Sequence, residues 1–145
     1  MSRVAVIGGG PAGIMAAAAA AGCGHDSVLL EKNEKLGKKL FLTGKGRCNI
    51  TNSCDTDDFF ANIPRNPKFL YSALYGFSNT DIVELINANG VPTKAERGKR
   101  VFPASDKSSD VIKALARHLN SSGAKLRLNT CLLYTSPSPR DRQKS

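Results

Sequence analysis

Apolar and polar positions divide the chain into short segments. Val4, Ala5, Val6 and Ile7 form an apolar block, broken by Gly8-Gly9-Gly10-Pro11 and followed by alanines from Ala16 to Ala21. A short, β-branched block bounded by glycine predicts a buried parallel strand over 3–7. Pro11 suits the first helical turn, where a missing N–H costs nothing, and alanine is the strongest helix former. This helix is predicted to stop at Gly22 or Gly24. Ser27 to Leu30 is a second short apolar run, ending at Glu31-Lys32.

Beyond residue 60 the period changes. Asn66-Pro67 predicts a capped helix whose core face carries Phe69, Leu70, Ala73, Leu74 and Phe77. Ser78-x-x-Asp81 predicts a capping box for the next helix, with Ile82, Leu85 and Ile86 inward and Gly90 at its end. Val91 to Glu96 and Arg100 to Phe102 flank Arg97-Gly98-Lys99 as a hairpin, and Pro92 and Pro103 predict that both strands are edges. Ser108 or Ser109 is expected to cap a third helix with Ile112, Leu115 and Leu119 inward. Ala124 to Leu128 alternates Leu126 and Leu128 with Lys125 and Arg127, predicting another strand. Strand, helix and strand at the start, with a further strand near the end, predict an α/β fold built on a parallel sheet.

Gly8, Gly10 and Gly13 fit G-x-G-x-x-G, the turn that cradles phosphates in a dinucleotide-binding βαβ unit. Glu31 lies 18 residues after Gly13, near the spacing at which a carboxylate accepts hydrogen bonds from an adenosine ribose. An acid there also repels a 2′-phosphate, which disfavours NADP. Glycine, strand, helix and acid in register predict an ADP-binding half and leave FAD and NAD both open. Residues 37–52 then combine glycines, cations and small polar groups. Such a loop can set backbone N–H groups and Arg47 beside phosphates or a polar ring.

Length is sufficient for one domain with a real core. The net charge of +9 suits an anionic cofactor or nucleic acid. The cations are scattered through loops, however, which disfavours nucleic acid. Cys23, Cys48, Cys54 and Cys131 have no metal-ligand spacing, so no metal site is expected, and they read as reduced thiols of a cytoplasmic protein. Cys48 and Cys54 are one residue too far apart for the C-x-x-x-x-C of flavin disulfide reductases. The uncharged stretch 4–24 could pass for a signal peptide, but glycines and proline would break its apolar helix. No other stretch is long enough to span a membrane. His25 and His118 read as exposed rather than catalytic.

The pattern breaks at Cys131. Cys-Leu-Leu-Tyr-Thr-Ser-Pro-Ser-Pro-Arg-Asp has no periodicity and matches the translation of a transposon-end sequencing adapter. Residues 131–145 are therefore expected to be non-native, with 1–130 the N-terminal part of a longer Rossmann-like domain. Such a sheet needs strands beyond its first, so residues 1–130 alone are expected to expose an apolar edge and bind cofactor weakly.

Taken together, Val-Ile-Gly-Gly-Gly-Pro-Ala-Gly, Leu-Leu-Glu-Lys, Gly-Lys-Lys-Leu-Phe-Leu-Thr-Gly-Lys-Gly-Arg-Cys-Asn-Ile-Thr-Asn and Arg-Val-Phe-Pro-Ala-Ser-Asp-Lys resemble the BaiN-type, aminoacetone-oxidase-like flavoproteins over residues 3–130. Lys45 stands where that family often has glycine. The resemblance implies a glutathione-reductase-type FAD-binding domain, incomplete here, with the start of inserted α+β elements. It implies FAD rather than NAD, and an FAD-dependent oxidoreductase acting on a small-molecule substrate, with NAD(P)H as a candidate donor. Gly8, Gly10, Pro11, Ala12 and Gly13 would meet the pyrophosphate. Glu31, with Lys32 beside it, would meet the ribose. The segment from Lys39 through Thr43, Gly44, Gly46, Arg47 and Cys48 to Asn49 would run along the pyrophosphate towards the flavin. No side chain is assigned as general acid or base. A flavin-dependent tRNA-modifying enzyme and a non-catalytic dinucleotide-binding module stand as alternatives.

Overall fold

The computed structural model describes residues 1–132. In chain order its elements begin with β1 (Arg3–Ile7), α1 (Pro11–Gly22), β2 (Asp26–Leu30), α2 (Lys38–Phe41), β3 (Thr51–Asn52), α3 (Thr56–Ala61) and α4 (Tyr71–Gly76). They continue with α5 (Asn79–Ala88), β4 (Thr93–Glu96), β5 (Arg100–Pro103), α6 (Ser108–Ser121) and β6 (Lys125–Arg127). Short 3₁₀ segments occupy Thr43–Gly46 and Pro67–Leu70. Among the described residues no helix is long and apolar enough to cross a membrane. The described residues form two compact units, Met1–Leu40 with 115–132, and Phe41–Ala114. The adapter-like reading of the tail falls mostly on 133–145, outside the described residues.

The first unit holds a parallel sheet in the order β1-β2-β6. Val4 pairs with Ser27 and Ile7 with Leu30, while Leu29 pairs with Leu126. The predicted strands and the helix between them all form, and the third strand lies beside β2. Alternation along β2 sends Ser27 and Leu29 into the interior, where Ile14, Ala17 and Ala18 of α1 are also fully or almost fully buried. The alanines of α1 keep the helix close to the sheet, because small side chains add little thickness at the contact. Gly24, at φ +80, follows the helix end in the left-handed region that favours glycine.

The second unit holds an antiparallel sheet in the order β3-β5-β4. The predicted hairpin is β4 and β5, paired from Thr93 with Pro103 to Glu96 with Arg100. β5 is the central strand, contrary to the edge expected from Pro103. The proline is tolerated because β3 is only two residues long and pairs with Val101 and Arg100, leaving Pro103 beyond its reach. α5 carries the expected capping box: the Ser78 side chain accepts from Asp81 N, and the Ser78 N–H donates to Asp81 Oδ2 at 2.6 Å. Ser108 is the first residue of α6 rather than its cap, and Val111 rather than Ile112 is buried with Leu115 and Leu119.

The long helix expected after Asn66 does not form. Asn66 sits at φ +46 without a side-chain cap, and its neighbours form a 3₁₀ turn before the six-residue α4. Phe69 is 79% exposed and Phe77 is exposed as well. The aromatic contact here is instead Phe60 against Tyr71 at 4.4 Å, with Tyr75 alongside at 5.9 Å from Phe60. A 3₁₀ segment has three residues per turn, which breaks the helical spacing that placed Phe69 and Phe77 on one face.

Candidate functional site

In the first unit the chain turns from β1 into α1 through Gly8, Gly9 and Gly10. Gly8 lies at φ +103, and its N–H donates to Leu30 O at 2.8 Å, closing the turn onto β2. A Cβ on Gly13 would overlap the Gly8 carbonyl oxygen and reach within 3.5 Å of Leu29. Glycine at 13 therefore lets the first helical turn lie on the strand. Gly10 is different. Its φ of −80° and ψ of 175° suit any residue, and a Cβ there would meet nothing within 4 Å. Gly10 is the N-cap of α1 yet supplies no side-chain cap, so the helix presents uncapped N–H groups beside open space. Pro11 and Ala12 are exposed on this first turn.

Glu31 closes the same turn from β2. Its Oε2 accepts from Gly9 N at 2.6 Å, and its Oε1 accepts from Asn33 N at 2.8 Å and Asn33 Nδ2 at 2.6 Å. The residue is 7% exposed. Burial by itself pushes this carboxyl up. Hydrogen bonds from the Asn33 and Gly9 N–H groups and the Asn33 side chain, with the nearby Lys32 charge, outweigh that and hold it below the usual carboxylate range. A carboxylate offers about four acceptor positions, so three bonds leave room for about one more donor. Gly9, outside the glycine fingerprint, carries a sharp constraint: its Cβ would lie 2.6 Å from Leu36 Cδ2 and 2.9 Å from Glu31 Oε2. Gly37 N donates to Gly9 O at 2.8 Å. Lys32 and Lys39 are exposed.

Thr43, Gly44, Gly46, Arg47, Cys48 and Asn49 form one tight turn in the second unit. Gly44 and Lys45 are left-handed, as are Gly46 at φ +85 and Cys48 at φ +61. Arg47 N and Cys48 N donate back to Gly44 O and Thr43 O at 3.1 and 3.2 Å. A Cβ on Gly44 would press to 3.2 Å from Asn49 N. Cys48 is 1% exposed, and burial raises its thiol pKa, partly offset by a hydrogen bond with Thr43. All four cysteines are free thiols, so Cys48 and Cys54 are not paired.

The Arg47 side chain is engaged by its own unit. Nε donates to Asp106 Oδ1 at 2.9 Å, and Nη2 donates to Asp106 Oδ1 at 2.6 Å and Glu96 Oε1 at 2.5 Å. Its guanidinium lies 4.3 Å from the centroid of the buried Phe102 ring. Lys94 completes the group, 2.7 Å from Asp106 Oδ2 and 3.6 Å from Glu96 Oε1. Hydrogen bonds to Glu96 and then Asp106 raise the Arg47 pKa, while Arg47 foremost lowers Glu96, and Lys94 then Arg47 lower Asp106.

Sequence reasoning passed over Gly9, Asn33, Leu36, Glu96 and Asp106. A third consecutive glycine is a signal available in the sequence. Asn two residues after the acid is another, since its short amide can bond back to a nearby carboxylate. The Glu96 and Asp106 contacts span 49 and 59 residues and have no local signature.

Two curated relatives bear on this site. Over 128 residues the chain is 36% identical to the 3-dehydro-bile acid delta(4,6)-reductase of Clostridium scindens, covering 87% of this chain and 31% of that protein. It is 29% identical to the ribosomal RNA dihydrouridine synthase of Escherichia coli, covering 88% of this chain and 31% of that one. The chain thus spans about a third of the length of these relatives. An open-conformation flavocytochrome c3 fumarate reductase shares the fold at 24% identity and a TM-score of 0.55, over 88% of this chain and 27% of that one. The architecture is the α/β Rossmann-like FAD-binding fold, represented here by three of its parallel strands. Over residues 2–141 the sequence matches the HI0933-like protein Rossmann domain, and the chain belongs to that family.

Proposed function

We propose that the Gly8–Gly13 turn holds the pyrophosphate of FAD, and that the chain is the nucleotide-binding part of an FAD-dependent oxidoreductase. Gly10 carries this reading. Neither its backbone angles nor its neighbours require glycine, and the space beside it lies at uncapped N–H groups of α1. A bare backbone at the start of a helix suits close approach by an anion. Bound FAD would supply the hydride or electron chemistry. The chain's own residues bind and orient: Ala12 and Gly13 offer N–H groups, and Glu31 retains capacity for about one ribose hydroxyl. Its charge opposes a 2′-phosphate. The turn from Thr43 to Asn49 would approach the cofactor further along, in line with the family resemblance.

Within the family, the 36% identity to a 3-dehydro-bile acid delta(4,6)-reductase supports reductive chemistry on a small organic substrate. The BaiN-type branch rests on the sequence resemblance, with NAD(P)H as a candidate donor. Four free thiols suit a reducing, cytoplasmic setting. A second reading, an RNA substrate, has support in the ribosomal RNA dihydrouridine synthases and the charge of +9. Salt-sensitive RNA binding distinguishes the two.

The test is titration of FAD into the purified chain, read by flavin fluorescence, for wild type and Gly10→Ala. We expect the variant to keep its thermal midpoint and lose FAD affinity by about tenfold or more, equivalent to about 1.4 kcal/mol. Equal affinity in the two proteins overturns the assignment of the turn. A wild type that takes up no FAD overturns the cofactor.

A further inference from the structure

Arg47 has every outward mark of a phosphate ligand: it is a cation in a glycine-rich turn. Its surroundings argue for another role. Asp106 and Glu96 accept three hydrogen bonds from it, while Lys94 donates to Asp106 Oδ2 at 2.7 Å and forms an ion pair with Glu96 Oε1 at 3.6 Å. Two cations and two anions make a closed group with no net charge, so little attraction remains for an outside anion. The guanidinium carbon lies over the Phe102 ring, 4.3 Å from its centroid, adding a cation–π contact.

The partners come from two places that need to be fixed together. Lys94 and Glu96 belong to β4, Phe102 to β5, and Asp106 to the turn after β5. Arg47 belongs to a turn in which Gly44, Lys45, Gly46 and Cys48 all have positive φ. Lys45 and Cys48 are not glycines, and such backbone persists where the surroundings over-determine it. The buried Cys48 side chain anchors the end of the turn, Ile50 N donates to Val101 O at 2.8 Å, and Arg47 ties the middle to the hairpin.

We infer that Arg47 is a positioning residue: clamped by Glu96, Asp106 and Phe102, it holds the Thr43–Asn49 turn in the conformation that receives the cofactor, and it is not itself a ligand of the cofactor's phosphates. This rests on the proposal that the turn approaches FAD. Glu96 and Asp106 thereby become determinants of cofactor binding although neither is suited to contact an anion.

The experiment compares wild type, Arg47→Ala, Arg47→Lys, the double variant Glu96→Gln/Asp106→Asn, and the triple variant combining that pair with Arg47→Ala. Hydrogen exchange over residues 43–49 without ligand is measured beside FAD affinity and the visible spectrum of bound flavin. Thermal melts establish that each protein is folded. We expect Arg47→Ala and the carboxylate double variant each to speed exchange in the turn and to weaken FAD by about tenfold. The triple variant should be no weaker than Arg47→Ala, and Arg47→Lys should only partly restore binding. A phosphate ligand predicts the reverse for the carboxylates: neutralising them frees the guanidinium, so the double variant would bind FAD as well as or better than wild type, and that result overturns the inference. Unchanged exchange over 43–49 in Arg47→Ala also overturns it. Should wild type take up no FAD, the function proposal fails, while the exchange data still decide whether the clamp exists.

Discussion

Three of the turn's four glycines differ in what forbids a side chain. At Gly13 the obstacle is backbone, the carbonyl of Gly8; at Gly9 it is the Leu36 and Glu31 side chains; at Gly10 the protein itself offers none. Gly13→Ala is therefore expected to destabilise by about 2 kcal/mol or more, because a carbonyl fixed between strand and helix cannot step aside. Chemical denaturation should show that loss as a lower midpoint at unchanged slope. Gly10→Ala, which is expected to keep its thermal midpoint, is the natural control. Glu31 acts on the same turn through charge-assisted bonds. Glu31→Ala leaves the Gly9 and Asn33 N–H groups without their acceptor, with an expected loss of about 2 kcal/mol in the same assay.

At the level of elements, the capping box of α5 is a pH-sensitive joint. The Asp81 carboxyl is lowered by the Ser78 N–H and then the Ser78 hydroxyl, so its contribution is complete above the normal aspartate range. It is lost as pH falls through the depressed folded value. Ser78→Ala should cost about 1 kcal/mol at neutral pH and progressively less in acid, measured by denaturation at several pH values. This box was legible because its chemistry is local, four residues in one window. So were β1, α1, β2 and β6, whose apolar runs and glycine stops are also local. The Phe69–Phe77 helix was misread because its spacing alone cannot distinguish a helix from a 3₁₀ turn followed by a short helix. The central position of β5 was misread because Pro103 reports on one strand, while the neighbour, β3, is only two residues long and leaves no pattern. Glu31 was legible as an acid near the turn. Its occupation by Gly9 and Asn33 was not, since a spacing fixes a position and says nothing about how its acceptors are shared. The Arg47 partners could not be seen at all, because folding brings them from distant sequence.

For the molecule as a whole, the exposed side of the parallel sheet matters most. β1 pairs only with β2 among the described strands, and Ile7 at its end is 61% exposed. The same face continues over Val28 and Leu30 of β2 to Lys125 and Arg127 of β6, forming a concavity also lined by Arg3 and Asp26. A parallel sheet ordinarily has both faces covered and its apolar edges paired. The purified chain is therefore expected to self-associate in a concentration-dependent way. Ile7→Lys, which sets a charge on this edge, should shift light scattering towards the monomer. A wild type that stays monomeric at high concentration would run against this expectation.

The buried thiol in the left-handed turn has a practical consequence. Cys23 is exposed, whereas Cys48 is enclosed and its ionisation is suppressed by burial. An alkylating reagent should modify Cys23 at once and reach Cys48 only during brief openings of its turn. The ratio of the two labelling rates, read by mass spectrometry, becomes a natural stopwatch for how often that turn lets go.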